Sequence, residues 1–136
     1  MDSAVLLLNI YKCYSEKRLA EAVSLLSDDF IFKSDLPDDP LEPKRPRSRA
    51  ELTLMAHKFL EEYDILSFEP GQITINDSSA TVRPECTFRH KKSGKVLQTR
   101  FEHNWRIDGG KLSELYQRHD GDQLRTFIAS LDDTAP

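Results

Sequence analysis

The stretch LQTRFEHNWRIDGGKLSELYQRHD, residues 97–120, decides the reading of this chain. From Val96 to Ile107 the odd positions are Leu97, Thr99, Phe101, His103, Trp105 and Ile107; the even ones are Gln98, Arg100, Glu102, Asn104 and Arg106. Successive side chains of a strand point to opposite faces, so a period of two with this split marks a half-buried strand of an antiparallel sheet. Asp108-Gly109-Gly110 then reverses the chain. A three-residue loop with a glycine bulge would bring Leu115, Gln117 and His119 to the apolar face. A two-residue turn would bring Glu114, Tyr116 and Arg118 there instead, and both registers stay open.

Working backwards, everything from Pro70-Gly71 to about residue 120 is strand-like, with further breaks at Asn76-Asp77-Ser78 and Ser93-Gly94. Three successive hairpins result. A two-residue turn at Ser93-Gly94 puts Cys86, Phe88 and His90 on the same face as Leu97, Thr99 and Phe101. The N-terminal half is helical instead. Asp2 or Ser3 caps a helix carrying Val5, Leu6, Leu8, Ile10, Cys13 and Tyr14. Leu19, Ala22, Val23 and Leu26 form the i, i+3, i+4, i+7 stripe of a second, and Phe30-Ile31-Phe32 is a short first strand. Ser48 and Glu51 make a capping-box pair opening a third helix, with Leu52, Met55, Ala56, Phe59 and Tyr63 on one stripe. Asp122 to Leu131 is a final short helix or a frayed tail.

Between them, residues 35–47 break every regular pattern. Pro37, Pro40, Pro43 and Pro46 recur at the polyproline II period. Pro40-Leu41-Glu42-Pro43-Lys44 has the form of a docking motif for an aromatic-lined module, although a stiff connecting loop has the same composition.

Composition sets the outer limits. The 136 residues make one α+β domain, 1–136, with the Pro-rich loop at 35–47 and a flexible tail at 132–136. A chain of this size buries roughly two-thirds of the surface it exposes when unfolded, enough for a core without staples. Net charge is −4, and the one basic run, Lys44 to Arg49, follows several acids. That argues against nucleic acid as a partner. Cys13 and Cys86 give neither a disulfide framework nor metal spacing. The apolar run Ala4–Leu8 is too short to span a membrane and lacks a cleavage site. A cytoplasmic protein without membrane contact is expected.

The order helix, helix, strand, helix, antiparallel meander resembles the polyketide-cyclase-like (SnoaL-like), ketosteroid-isomerase and nuclear-transport-factor-2-like superfamily. The local matches are LAEAVSLLSDDFIF at 19–32 and NWRIDGGKLSELYQRHD at 104–120. The resemblance implies a cone-shaped, curved antiparallel sheet wrapped around three N-terminal helices, with a single pocket (cystatin-like). It covers nearly the whole chain but spans isomerases, cyclases, hydrolases, dehydratases and binders. The general-base aspartate of ketosteroid isomerases falls at Ser34, with Asp35 adjacent; their oxyanion-hole tyrosine falls at Ile10 and their oxyanion-hole aspartate at His103. The catalytic aspartate of the cyclase-like relatives falls at Gln117. None is retained. The resemblance also implies a homodimer through the outer sheet face, where Arg83, Glu85, Arg89, Arg100, Glu102, Arg106, Glu114 and Tyr116 make a mixed-charge surface.

The candidate ligand-binding residues are Tyr14, Phe32, Phe59, Cys86, Phe88, Phe101, Trp105, Leu115 and Gln117. The candidate catalytic residues are His103, His119 and Asp35, the last at the pocket mouth, since these move protons near neutral pH. No cofactor is expected and no metal: His119 would pair near Thr99, about 13 Å along the strand from His103, too far to share an ion. Two functions follow, a binder of a small apolar ligand or a small isomerase-, cyclase- or hydratase-type enzyme with His103 as acid/base. The missing family carboxylates favour the binder.

Overall fold

The computed structural model describes residues 2–35 and 45–132; the Pro40–Lys44 motif and the last four residues lie outside them. Helix α1, Ser3–Ser15, is capped by Asp2, whose carboxylate accepts the Val5 backbone N–H at 2.9 Å. It buries Leu6, Leu7, Ile10, Tyr11 and Cys13. Helix α2 is shorter than its stripe suggests, Leu19–Ser24. Leu26 already belongs to strand β1, Leu26–Ser34, where it pairs with Leu112. Six residues carry little helical stability of their own, and strand pairing takes the end of the segment.

After β2, Arg47–Ser48, the Ser48–Glu51 capping box forms in full and opens α3, Arg49–Glu62. Tyr63, the last position of the expected helical stripe, instead begins β3, Tyr63–Asn76. That strand runs through Pro70-Gly71, which is a bulge within β3: Gly71 and Gln72 both oppose Arg83. Gly71 has φ +62°, and a Cβ there would lie 2.5 Å from the Arg83 carbonyl oxygen, so only glycine fits.

The remaining strands are β4, Ser79–His90, β5, Val96–Arg100, β6, Glu102–Asp108, and β7, Lys111–Arg118, followed by α4, Gly121–Asp132. The curved, unclosed sheet has the order β2-β1-β7-β6-β4-β3, with β5 also on β4. The expected antiparallel sheet contains one parallel pair, β1 with β7. No hairpin joins those two, so nothing forces them antiparallel.

Both tight turns differ in detail from the sequence reading. The β4–β5 loop has four residues, 91–94, closed by His90 N–H donating to the Lys95 carbonyl and Gly94 N–H to that of His90, each at 2.8 Å. The shift is two residues, an even number, so Cys86 with Thr99 and Phe88 with Leu97 still share the inner face. At 108–111 the turn is the two-residue kind: Gly109 and Gly110 both have positive φ, and Asp108 pairs with Lys111. Alone it would send Tyr116 and Arg118 inward. A register shift at Ser113 restores the other face, pairing Trp105 with Leu115 and His103 with Gln117.

Candidate functional site

The apolar stripe of α3 is where the packing is incomplete. Leu52, Met55 and Phe59 are half-buried, and no residue of α3 is fully buried. These side chains face a cavity of about 390 Å³ lined by residues of all four helices and the inner sheet face. Of the expected ligand-binding residues, Tyr14, Phe32, Phe59, Phe88, Phe101, Leu115 and Gln117 line it. His119 lines it as well.

Besides the exposed Asp35, three of the sequence-derived candidates, Cys86, His103 and Trp105, are not among its lining residues. Each of the three is at most 2% exposed. Alternation along β6 correctly turns His103 and Trp105 inward, but α1 lies over that end of the sheet. The Tyr11 ring stacks on His103 at 5.7 Å and meets Trp105 edge-on at 6.2 Å. Cys86 is sealed beside its strand partner Phe68, and burial pushes its thiol pKa up.

His119 also departs from its expected place. The Ser113 shift sets Gln117 opposite His103, so His119 lies beside Phe101, with ring centroids 5.0 Å apart, and not near Thr99. The two histidines are therefore bridged by one side chain: Gln117 Oε1 is 2.7 Å from His103 Nε2, and Gln117 Nε2 is 2.9 Å from His119 Nε2. Asp35, outside the cavity lining, accepts His119 Nδ1–H at 3.0 Å and the His119 backbone N–H at 2.9 Å. At the other end Tyr11 Oη lies 2.6 Å from His103 Nδ1 and accepts the Trp105 indole N–H at 2.9 Å. Six side chains thus form one hydrogen-bonded chain from the surface carboxylate of Asp35 to the buried Trp105. Among the described residues no cluster of three or more His, Cys, Asp or Glu could hold a metal ion.

Burial sets the protonation states. It pushes the His103 imidazole down to about 3, outweighing the hydrogen bond to Gln117, so this ring is neutral at physiological pH. His119 is lowered too, by burial against the opposing pull of Asp35. The Tyr14 hydroxyl is raised, chiefly by burial, and stays protonated.

Tyr11, Leu124, Phe127 and Ile128 are the parts of this arrangement that sequence reading passed over. Leu7, Tyr11 and Tyr14 are spaced four and three apart, the signature of one helix face, which would have placed Tyr11 inward. Leu124, Phe127, Ile128 and Leu131 repeat the same i, i+3, i+4, i+7 pattern on α4, and the first three line the cavity.

Comparison with known proteins now adds a family. No curated protein matches the chain in sequence. Among solved structures, an NTF2-like protein of unknown function from Burkholderia pseudomallei superposes with a TM-score of 0.79 at 14% identity, covering 92% of this chain and 95% of that one. A protein from Bacillus subtilis, provisionally named an isomerase, gives 0.79 at 14% identity over 93% and 92%. A protein of ketosteroid isomerase-like fold from Catenulispora acidiphila, in complex with trimethylamine, gives 0.70 at 6% identity over 82% of each chain. At such identities the likeness is one of fold. The SnoaL-like domain model matches residues 7–115, from α1 through most of β7. By that match, the chain belongs to the SnoaL-like domain family.

Proposed function

We propose that this domain binds a small apolar molecule in the cavity under α3 and α4. One observation carries the reading: the stripe Leu52, Met55 and Phe59, apolar enough to bury, stays half-exposed toward about 390 Å³ of space. Pockets for small molecules are concave and mostly apolar, with a few placed polar groups. Here Gln117, His119 and the Tyr14 hydroxyl are such groups. Titration with fluorene, a rigid apolar hydrocarbon, is expected to give saturable one-to-one binding that raises the melting temperature, since a ligand of the native state stabilises it. Absence of saturable binding of fluorene and of similar tricyclic compounds would refute the reading.

A catalytic reading is supported at one place. His119, backed by the Asp35 carboxylate, reaches the cavity wall. His103, first in line from sequence, is 1% exposed and does not line the cavity, whereas His119 does, so an acid/base role belongs to His119 instead. Neither Ile10 nor Ser34 supplies what a ketosteroid isomerase uses there.

The proposal extends to a cytoplasmic homodimer joined through the outer sheet face. Charges on that face are already paired within the chain, Arg100 with Glu85 at 2.6 Å and Arg83 with Glu102 at 3.4 Å, so apposing two copies buries few unmatched ions. Both cysteines are buried and free, in keeping with a reducing compartment. Light scattering at tens of micromolar is expected to give twice the chain mass; a monomer contradicts the dimer.

A further inference from the structure

The turn between α1 and α2 holds a residue in an uncommon backbone conformation. There α1 ends in a Schellman motif: Arg18 N–H donates to the Cys13 carbonyl at 2.8 Å, and Lys17 N–H donates to that of Tyr14 at 3.2 Å. The motif needs one left-handed residue, which is Lys17, with φ 59°. Glycine adopts that conformation without steric cost and is the residue usually found there. The lysine side chain contributes nothing to the turn. It does line the cavity, and since Lys17 is exposed it stands at the solvent edge of that cavity.

The charges around the cavity give that position a meaning. Among the described residues, Lys17 alone of those lining the cavity carries a formal charge near neutral pH; no Asp or Glu lines it, and burial holds His119 neutral. The acids near the turn have other partners. Glu16 and Glu21 both pair with Arg18, the first at 3.0 Å. Asp64, at the start of β3, pairs with Arg89 at 2.8 Å. The Arg89 guanidinium holds that carboxyl below the usual carboxylate range, and Lys17 is the weakest influence on it. Lys17 Nζ makes no hydrogen bond or ion pair among the described residues. An apolar cavity with one unpaired cation at its rim and no anion in its wall complements a molecule of the opposite pattern. Position also sets direction. A carboxylate carried in to the Gln117 wall would lose its water without meeting a cation, whereas at Lys17 it stays partly hydrated.

We propose that the cavity takes an amphiphilic carboxylate, an unbranched medium-chain fatty acid in the simplest case. Its apolar tail lies inward against Leu52, Phe59 and Phe88, and its head group pairs with Lys17 at the rim. This rests on the binding reading above and goes beyond it by giving the ligand a charge and an orientation.

Three probes with one tail separate the claims: decanoate, decan-1-ol and decylammonium, with fluorene as the test of the cavity itself. Calorimetric titration at low ionic strength is expected to show decanoate binding about fivefold more tightly than decanol, the worth of one exposed ion pair. Decylammonium is expected to bind more weakly than either, and high salt should shrink the decanoate preference. Lys17→Gly suits the left-handed position, so its melting temperature should equal or exceed that of the unaltered chain, while the decanoate-to-decanol affinity ratio falls to about one. Lys17→Arg keeps the charge and should keep the preference; Lys17→Glu should transfer it to decylammonium. If decanoate binds no better than decanol, or if the ratio survives in Lys17→Gly, the assignment falls while the fluorene-binding cavity stands. A ratio lost as fully in Lys17→Arg as in Lys17→Gly also overturns it, since charge is then not what the ligand reads. Failure of fluorene and all three decyl probes to bind overturns the binding reading itself.

Discussion

The two ends of one sheet face behave differently. Along β6, His103 and Trp105 are each at most 2% exposed beneath Tyr11 of α1, with His103 also beside Phe68. At the β3–β5 end, Phe88 and Leu97 share that inner face, yet the helices above them, α3 and α4, leave Phe59, Phe127 and Ile128 partly exposed around open space. The strands obey the same alternation at both ends. What separates core from cavity is what fills the space above them: the Tyr11 ring of α1 covers His103 and Trp105, whereas Leu52, Met55 and Phe59 of α3 stay half-buried around open space. The lesson is that inward-facing and pocket-lining are different properties, and only the first is written in a strand's periodicity.

The largest effect that can break this comparison is at Trp105. Trp105→Leu should cost ~3 kcal/mol, as large-to-small changes in packed cores do, and it also removes the donor that Tyr11 accepts. Chemical denaturation measures it, and a loss below ~1 kcal/mol would show that the closed end is not a packed core.

The closed end should also respond to acid. The His103 pKa is about 3 in the folded chain, below its ordinary value near 6.5, and that of His119 is lowered as well. The unfolded chain therefore binds more protons than the folded one below about pH 6.5, so stability is full above that pH and falls as the pH drops toward the folded values. His103 alone contributes a slope approaching ~1.4 kcal/mol per pH unit. Melting temperatures should be flat from pH 8 to 7 and decline from 6 to 5. His103→Gln, which keeps polar contacts but does not titrate, should flatten most of that decline. An equally steep decline in the variant would place the acid sensitivity elsewhere.

The smallest effect belongs to the open end. Phe59 stacks on Tyr63 at 4.8 Å and meets Phe88 edge-on at 5.0 Å, but its other side faces the cavity. Phe59→Leu should cost less than ~1 kcal/mol, because a side chain already beside a void loses few contacts. Its effect should show instead in the affinity for fluorene. A cost matching that of Trp105→Leu would erase the distinction between the two ends.

Much of this was legible in the sequence, for identifiable reasons. The run from Val96 to Ile107, expected as one strand and divided at Phe101 into β5 and β6, keeps one apolar face, and Ser48 with Glu51 forms the capping box that pattern implies. Those are local rules acting on neighbouring residues. The register at β7 was not legible, because a two-residue turn at Gly109-Gly110 is undone by a shift at Ser113, whose hydroxyl donates to Asp108 at 2.8 Å. Two local events of opposite sign leave Gln117 and His119 inward. The hydrogen-bonded chain was beyond reach for a different reason. It joins Tyr11, Asp35, His103 and Gln117, which the packing of α1 on the sheet, the β1–β7 pairing and the β6–β7 hairpin together bring into reach. Tyr63 and Leu26 show the complementary failure, where a helical stripe runs on into residues that strand pairing claims.

Filling the open end tests the central claim most directly. Ala56 lies on the α3 stripe and lines the cavity. Ala56→Trp introduces a side chain that about 390 Å³ of space can receive without strain. Paired denaturation and fluorene titrations of this variant are expected to show stability equal to or above that of the unaltered chain, with affinity for fluorene reduced at least tenfold. A loss of several kcal/mol, the mark of overpacking in a filled interior, would show that the space under α3 is core and would contradict the account.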